Sequence, residues 1–384
     1  MNYINARIVT CDKDFSIIEL GYITVKDGRI AAVGDMSDFT ADSGDTVDLE
    51  GRSVYPGFID AHSHLGMWEN GLGFEGDDGN ESTEPSTPHL RALDAVNAYD
   101  YCFEEALAAG ITTVMTGPGS ANPIAGQALC IKTIPGRIDK KVIREPGAMK
   151  FALGENPKNT YHEQDESPVT RMATAAIIRE QLMLAKRYME EKNAAESDSD
   201  LPDYDMKLEA LVPVLTRELP AHFHCHRRDD IFTAIRIAEE FNLDYVLVHA
   251  TEGYMCADEL AECGARVLAG PIICDRAKPE LRNLSTAAPG KLEAAGILPA
   301  IITDHPVVPI HYLTLSAGIA AREGLSRQSA LLGITRIPAE LLGIAHRVGS
   351  IEVGKDADFS VFSGDPLSVD AKPEMVVADG VRRI

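Results

Sequence analysis

The feature that most constrains the fold is an alternation of eight short apolar segments with helical patterns through the middle of this 384-residue chain. Short apolar runs bounded by turns predict buried strands, and the amphipathic stretches between them predict helices that connect parallel strands. Eight parallel strands favour an α/β fold of the closed (β/α)8 TIM-barrel type over an open sheet. The candidate strands lie near residues 57–61, 111–115, 128–132, 148–152, 220–224, 245–249, 266–270 and 299–303.

The two ends of the chain have a different texture, with short β-branched runs broken by turns. Asp27-Gly28 lies between two such runs and predicts a hairpin turn. We therefore predict a small β-sandwich domain formed by residues 1–55 together with residues 346–384, and a barrel over residues 56–345. The terminal candidate strands are residues 17–20, 23–25, 30–33, 359–362 and 375–378.

The charge balance excludes one broad class of function. The formal net charge is −23, whereas nucleic-acid binding needs clusters of Lys and Arg. Seven cysteines without a C-x-x-C pair suit a reducing compartment better than a disulfide framework. No apolar stretch reaches the roughly 18 residues needed to cross a bilayer, and the first residues do not resemble a signal peptide. We therefore expect a cytoplasmic protein with no membrane or nucleic-acid partner.

The clearest chemical motif closes the first candidate strand, where residues 56–64 read Pro-Gly-Phe-Ile-Asp-Ala-His-Ser-His. His62 and His64 are two residues apart, so both rings point to one face of an extended segment. Two imidazoles at that spacing can hold one metal ion from a single strand end.

This motif resembles the first-strand signature of the amidohydrolase superfamily, which includes dihydroorotases, imidazolonepropionases and metal-dependent dipeptidases. The resemblance covers nearly the whole chain. Residues 23–34 are similar to the family's N-terminal β-domain, and residues 349–358 are similar to its C-terminal counterpart. The likeness is strongest to the imidazolonepropionase-like and dipeptidase-like branch.

The resemblance implies further metal ligands at later strand ends. His224 matches the ligand on strand five, and His249 matches the ligand on strand six. Asp304, after the last strand, matches the catalytic aspartate that binds the metal and accepts a proton from the attacking water. A carboxylate suits that dual role, although an aspartate before His305-Pro306 could also serve as a helix cap.

Strand five carries three alternating histidines, which therefore share one face of an extended segment. The middle one, His224, is the expected ligand. His222 is then deeper in the barrel, and His226 is further out, near the substrate. His226 is also the main rival to His224 as the ligand.

Lys150 lies within an apolar strand, where a plain ammonium group is costly. Many binuclear family members carry a carboxylated lysine on strand four, and this modification would turn Lys150 into an anionic ligand. The alternatives are a salt-bridged Lys150 or Glu155 as the acidic ligand.

Several polar segments are candidates for substrate binding. The loop that carries Ser120 and Asn122 follows strand two, and residues 154–158 follow strand four. Arg228, with Arg227 beside it, follows strand five and could grip a substrate carboxylate. Residues 69–88 form a long polar insertion at the expected catalytic face, either a lid or a mobile surface loop.

The expected activity is hydrolysis of a C–N bond in a small amide, cyclic amide or dipeptide by a metal-bound hydroxide, with one or two zinc ions. A deaminase of an aminated heterocycle is the nearest alternative, but the expected glutamate after strand five is absent. A non-catalytic barrel scaffold is the alternative from another class. The sequence contains no Gly-x-Ser-x-Gly elbow, the motif that would indicate a serine hydrolase. The family resemblance is compatible with a homo-oligomer.

Overall fold

The computed structural model describes residues 1–40, 44–69 and 71–384, and their strands form two eight-stranded sheets. The terminal sheet contains β1 (Asn2–Val9), β2 (Ile17–Lys26), β3 (Arg29–Asp35), β4 (Thr46–Asp48), β5 (Ser53–Pro56), β14 (Phe359–Phe362), β15 (Met375–Ala378) and β16 (Val381–Arg382). The barrel sheet contains β6 (Phe58–Ser63), β7 (Ile111–Thr116), β8 (Ile124–Lys132), β9 (Val142–Ala152), β10 (Ala221–Cys225), β11 (Tyr245–His249), β12 (Val267–Ala269) and β13 (Ala300–Ile301).

The α-helices pack mainly around the barrel and bury their apolar faces against it. In the helix that follows β10, Ile231, Ala234, Ile235 and Ala238 recur at helical spacing and are buried. The bounds of the α-helices are α1 (Cys102–Ala108), α2 (Glu155–His162), α3 (Arg171–Ala194), α4 (Met206–Leu215), α5 (Arg228–Glu240), α6 (Ala257–Glu262), α7 (Ala288–Ala294), α8 (Leu313–Arg322), α9 (Arg327–Leu332) and α10 (Arg336–Leu341). Over the described ranges, no helix has the length and apolar character needed to cross a membrane.

The barrel strands follow one another in chain order from β6 to β13. Backbone hydrogen bonds then join the two ends of the sheet. Asp304 N donates to His62 O at 3.2 Å, and His64 N donates to His305 O at 2.8 Å. The predicted barrel is therefore confirmed, with a strand at each of the eight expected places.

The expectation that all eight strands are parallel was wrong at one strand. β8 pairs in antiparallel fashion with both β7 and β9. The reason is connection length: residues 117–123 and 133–141 link these strands, whereas a parallel crossover needs about a dozen residues or more. The start of β8 therefore lies at the end of the barrel where its neighbours finish.

The terminal sheet draws strands from both ends of the chain, as predicted. A bulge at Asn5, where φ is 57°, allows the first half of β1 to pair with β4 and the second half to pair with β5. Side chains from both halves of the sheet share one buried cluster, in which the Tyr3 and Phe359 rings meet edge to face at 4.9 Å. The boundaries 1–55 with 346–384 and 56–345 stay a prediction.

A buried lysine joins the barrel to this sheet. Lys132 Nζ, at the end of β8, lies 2.5 Å from Asp358 Oδ2 and 3.0 Å from carboxylate oxygens of Asp356 and Asp379. Lys132 and Asp358 are both almost completely buried. This ionic cluster joins the terminal sheet to the end of the barrel opposite the carboxyl ends of its parallel strands.

Candidate metal centre

The histidines and the aspartate predicted as ligands all lie at strand ends on one rim of the barrel. His62 is the last residue but one of strand β6, and His64 immediately follows the strand. His224 lies near the end of β10, and His249 is the last residue of β11. Asp304 follows β13. The carboxyl ends of parallel barrel strands form the catalytic face in enzymes of this fold, so these side chains meet there.

Three of these residues form a first donor group. Asp304 Oδ1 lies 3.3 Å from Nε2 of His62 and 3.3 Å from Nε2 of His64. The ligand atoms of the three residues all lie within 4.8 Å of one another. A carboxylate with two imidazoles is a donor set that zinc prefers.

The second donor group comprises His224, His226 and His249, whose ligand atoms also lie within 4.8 Å of one another. The ring of His249 lies 4.6 Å from those of both His224 and His226, measured between centroids. It also lies 5.5 Å from the ring of His62, so the two donor groups adjoin. The structure thus brings His226 together with the histidines expected as ligands.

Lys150 contacts the first donor group, since its Nζ lies 3.3 Å from Nε2 of His62. The side chain is 3% exposed, and burial lowers the pKa of its amine to about 8. Glu155, the alternative acidic ligand, instead accepts a hydrogen bond from Glu280 N at 3.2 Å on its Oε2. Of these two alternatives, Lys150 is the one in contact with a candidate ligand.

Hydrogen bonds hold several of the imidazoles in an orientation that suits a metal. His64 Nδ1 donates to Gly117 O, and His249 Nδ1 donates to Gly270 O, both at 2.7 Å. With Nδ1 protonated, the neutral ring keeps a lone pair on Nε2. His226 Nδ1 lies 2.7 Å from Thr251 Oγ1. Such outer contacts are typical of metal-binding histidines, so the residues present fit a divalent ion.

The protonation states agree with this fit. Burial lowers the pKa values of His62, His224 and His226 well below the usual value, and lowers that of His249 to about 4. These rings are therefore neutral, the form that binds metals.

A pocket of ≈ 570 Å³ opens onto the donor groups. Ser120 lines it, and Ser120 Oγ lies 3.1 Å from Nδ1 of His224. The polar insertion contributes Glu69, Gly71 and Asn80, whereas its residue 70 lies outside the described ranges. The described lining residues are His64, Trp68, Glu69, Gly71, Asn80, Gly119, Ser120, Ala121, Asn156, Asn159, Thr160, Glu163, His224, Lys278, Asp304, Pro306 and Val307.

Three residues predicted to bind or approach the substrate, His226, Asn122 and Arg228, do not line this pocket. His226 belongs instead to the second donor group. Asn122 is buried, and its side chain hydrogen-bonds Glu81 O, Thr87 Oγ1 and the hydroxyl of Tyr161. Arg228 lines a separate surface pocket. The chain turns into α5 at Arg228, so the alternation of β10 no longer sets the direction of its side chain.

Sequence reasoning missed Lys278 and Glu280, which lie between β12 and α7. Glu280 is buried, and its Oε1 lies 3.5 Å from Nε2 of His226 and 2.7 Å from Nζ of Lys278. Lys278 Nζ also donates to Asn156 Oδ1 at 3.0 Å. This segment has no strand-like periodicity, so nothing in the sequence indicated that it reaches the donor groups.

A closed α/β barrel whose strand ends gather two histidine-rich donor groups beneath a pocket defines a metal-dependent barrel enzyme. Comparison with known proteins gives the family. The model of the amidohydrolase family matches residues 53–382, and the chain therefore belongs to this family. As a member, it is a hydrolase that acts on carbon–nitrogen bonds.

Individual relatives agree with this assignment. The chain is 30% identical over 390 residues to "Amidohydrolase tasK" of Hapsidospora irregularis; this match covers 95% of the chain but only 39% of that longer protein. It is 26% identical to an imidazolonepropionase of Maricaulis maris, over 93% of the chain and 90% of the relative. The crystal structure of an amidohydrolase from Thermotoga maritima superimposes with a TM-score of 0.95 at 41% identity, covering 100% of this chain and 99% of that one.

Proposed function

We propose that the protein hydrolyses a C–N bond of a small amide, cyclic amide or dipeptide with the help of one or two divalent metal ions, of which zinc is the expected one. The proposed ligands are His62, His64, Lys150, His224, His249 and Asp304, and Asp304 is also the proposed catalytic base. The observation that carries the proposal is the position of Asp304 Oδ1, 3.3 Å from both strand-one histidines at the floor of the pocket.

A bound divalent ion supplies Lewis-acid activation of the attacking water and of the scissile carbonyl group. The chain supplies the proton transfers. Asp304 bears a carboxylate at neutral pH, so it can accept a proton from the water and pass it to the leaving nitrogen. The carbonyl groups of Gly117 and Gly270 fix the tautomers of His64 and His249 and keep their Nε2 atoms available as ligands.

The pocket supports a polar substrate that carries a carboxylate. Among the described residues that line it, Lys278 is the one lysine or arginine, and its amine lies 3.0 Å from Asn156 Oδ1 and 2.7 Å from the buried carboxylate of Glu280. An ammonium group at this place can bind a substrate carboxylate while the scissile bond lies over Asp304. The names of the imidazolonepropionase relatives further favour a C–N bond within a ring.

A decisive experiment is elemental analysis of the purified protein as isolated, together with Asp304→Ala and Lys150→Ala. About two equivalents of zinc, falling when Lys150 is changed, support a binuclear hydrolase. Dipeptides, N-acyl amino acids and cyclic amides are then the substrates to screen. About one equivalent of zinc, unchanged in Lys150→Ala, indicates a mononuclear site and makes deamination the activity to test first. No metal, even after reconstitution, contradicts the proposal.

A further inference from the structure

His222 is a buried histidine that the proposed metal centre does not use. It lies on β10, two residues before His224, and is 2% exposed. Neither ring nitrogen has a hydrogen-bond partner among the described residues. A buried polar group without a partner is costly, so a group that the protein chain alone does not provide is expected beside this ring.

The residue directly opposite His222 on the neighbouring strand β9 is Lys150. The Cα atoms of His222 and Lys150 are direct partners in the pairing of β10 with β9, so both side chains leave the sheet on one face. Both also line one small enclosed cavity, together with His62, Met115 and Ala148. The remaining lining is largely apolar and offers His222 few alternative partners.

The hydrogen-bonding chemistry of this pair is incomplete in an unmodified chain. A neutral imidazole has one N–H donor and one acceptor nitrogen, whereas a lysine ammonium group has donors only. The N–H of His222 therefore lacks an acceptor. Carboxylation of Lys150 would supply two acceptor oxygens at the end of the side chain that already lines the cavity.

We propose that His222 is the positioning residue for a carboxylated Lys150, donating its ring N–H to a carbamate oxygen and so stabilising the modified side chain. The inference rests on the assignment of Lys150 as a ligand in the proposed function. In the modification, the neutral Nζ attacks the carbon of CO2, an N–C bond forms, and one C=O bond becomes a C–O⁻ group. One proton leaves Nζ for solvent, and no oxidation or reduction takes place.

This arrangement gives His222 a role distinct from that of the other histidines. It lies beneath the metal ligands and does not line the substrate pocket. A hydrogen bond to a charged acceptor is worth about 1.5–3 kcal/mol, and each 1.4 kcal/mol corresponds to tenfold in an equilibrium constant. Loss of the His222 donor should therefore raise the CO2 requirement for carboxylation by about tenfold or more.

The test uses holoenzyme prepared with ¹³C-bicarbonate and examined by ¹³C NMR, with zinc content measured on the same samples. The wild type should show a carbamate resonance that Lys150→Ala removes. His222→Phe keeps an aromatic ring but no donor, and it should need at least about tenfold more bicarbonate for half-maximal signal. His222→Gln, which retains an N–H donor, should recover much of the loss. Met115→Leu alters the same cavity without changing a polar group and should behave as wild type.

The outcomes separate this inference from the proposed function. A wild-type carbamate resonance whose bicarbonate dependence is the same in His222→Phe overturns the role of His222 and leaves Lys150 as a ligand. If the metal-loaded wild type shows no carbamate resonance, both the role of His222 and the assignment of Lys150 as a ligand are overturned. A crystal structure with only a water molecule between the side chains of His222 and Lys150 overturns both in the same way. If His222→Phe does not fold, the histidine ¹⁵N spectrum of the wild type gives the answer. Removal of CO2 should shift the His222 ring resonance, identified by its absence in His222→Gln, and an unchanged resonance contradicts the inference.

Discussion

The amine of Lys132, on a barrel strand, lies 2.5 Å from the carboxylate of Asp358, the residue before β14 of the terminal sheet, and both side chains are almost completely buried. Asp356 and Asp379 approach the same amine, each at 3.0 Å. One cation therefore faces three carboxylates at the junction of barrel and sheet. Opposite charges raise the pKa of Lys132 despite its burial, so the lysine stays charged.

Substitution of this lysine should strongly destabilise the protein. Lys132→Met leaves the buried carboxylate of Asp358 without a counter-charge, whereas Asp356 keeps its ion pair with Arg347, and breaking a buried pair in this way costs about 3–5 kcal/mol. Denaturant unfolding at neutral pH measures the loss. The double variant Lys132→Met/Asp358→Asn should be less destabilised than the single variant. A loss below about 1 kcal/mol in Lys132→Met, typical of exposed pairs, would contradict the structural role.

Asp304→Asn should abolish most of the activity while the fold is retained. The amide keeps the size of the side chain but cannot accept the proton of the attacking water, and general-base catalysis contributes about 10²–10⁴-fold in rate. We expect kcat to fall by about that factor, with thermal stability unchanged or higher in the metal-free protein. Asp275→Asn, an exposed change between β12 and α7, is the matched control. Equal activity in the two variants would remove Asp304 from the mechanism.

Lys278→Met should weaken the binding of substrates that carry a carboxylate. Loss of the ammonium group removes a charge-assisted hydrogen bond worth about 1.5–3 kcal/mol, so KM should rise by about ten- to a hundredfold with a smaller effect on kcat. Neutral substrates of similar size should be much less affected. Lys158→Met, in α2, serves as the control because Lys158 does not line the pocket. An equal fall in kcat for charged and neutral substrates would instead indicate that Lys278 acts in the hydrolytic step.

The burial of the Lys141 amine leads us to expect that the protein becomes more stable as the pH rises above about 8. Its amine is buried, donates to Ala98 O at 2.7 Å and lies 4.1 Å from the ring centroid of Phe103. Burial lowers its pKa from 10.5 to about 8, so the folded protein binds fewer protons than the unfolded chain between these values. Stability should therefore rise as pH increases from about 8 to 10.5, by up to about 3 kcal/mol from this group.

Urea unfolding of wild type and Lys141→Met at several pH values tests this expectation. The variant lacks the titrating amine, so the difference in stability between the two proteins should change across the window. Lys140→Met alters the exposed neighbour and should track the wild type. A constant difference between wild type and Lys141→Met from pH 7 to 10.5 would show that burial does not shift the amine.

The strand ends were predictable because two independent signs coincide there. Apolar runs located the barrel strands, and histidines or an aspartate lie at the ends of four of them, β6, β10, β11 and β13. His62 and Asp304 accordingly lie in one donor group and His224 in the adjoining one, because parallel strands end on the same rim. The family resemblance then supplied the role of each residue.

The rest depends on backbone paths that periodicity does not encode. Lys278 and Glu280 reach the donor groups from an irregular segment, and its course is set by contacts such as that of Glu280 with Glu155. Arg228 was proposed from its place after strand five, and the structure puts it at the first residue of α5, where it lines a separate surface pocket. The reversed direction of β8 did not follow from the predicted strands, because residues 116–127 between them are about enough for a crossover, whereas the observed β8 begins earlier, at Ile124.

That reversed strand also bears on the order in which the chain folds. β7, β8 and β9 are neighbours joined by short connections, so their pairing closes small loops at low entropic cost. The partners β9 and β10 are separated by residues 153–220, and parallel pairing over such distances is slow. We expect pulse-labelling hydrogen exchange to find β7–β9 protected first. The pieces of the metal-binding rim would then be assembled onto a preformed meander, and the catalytic centre would be among the last parts of the protein to exist.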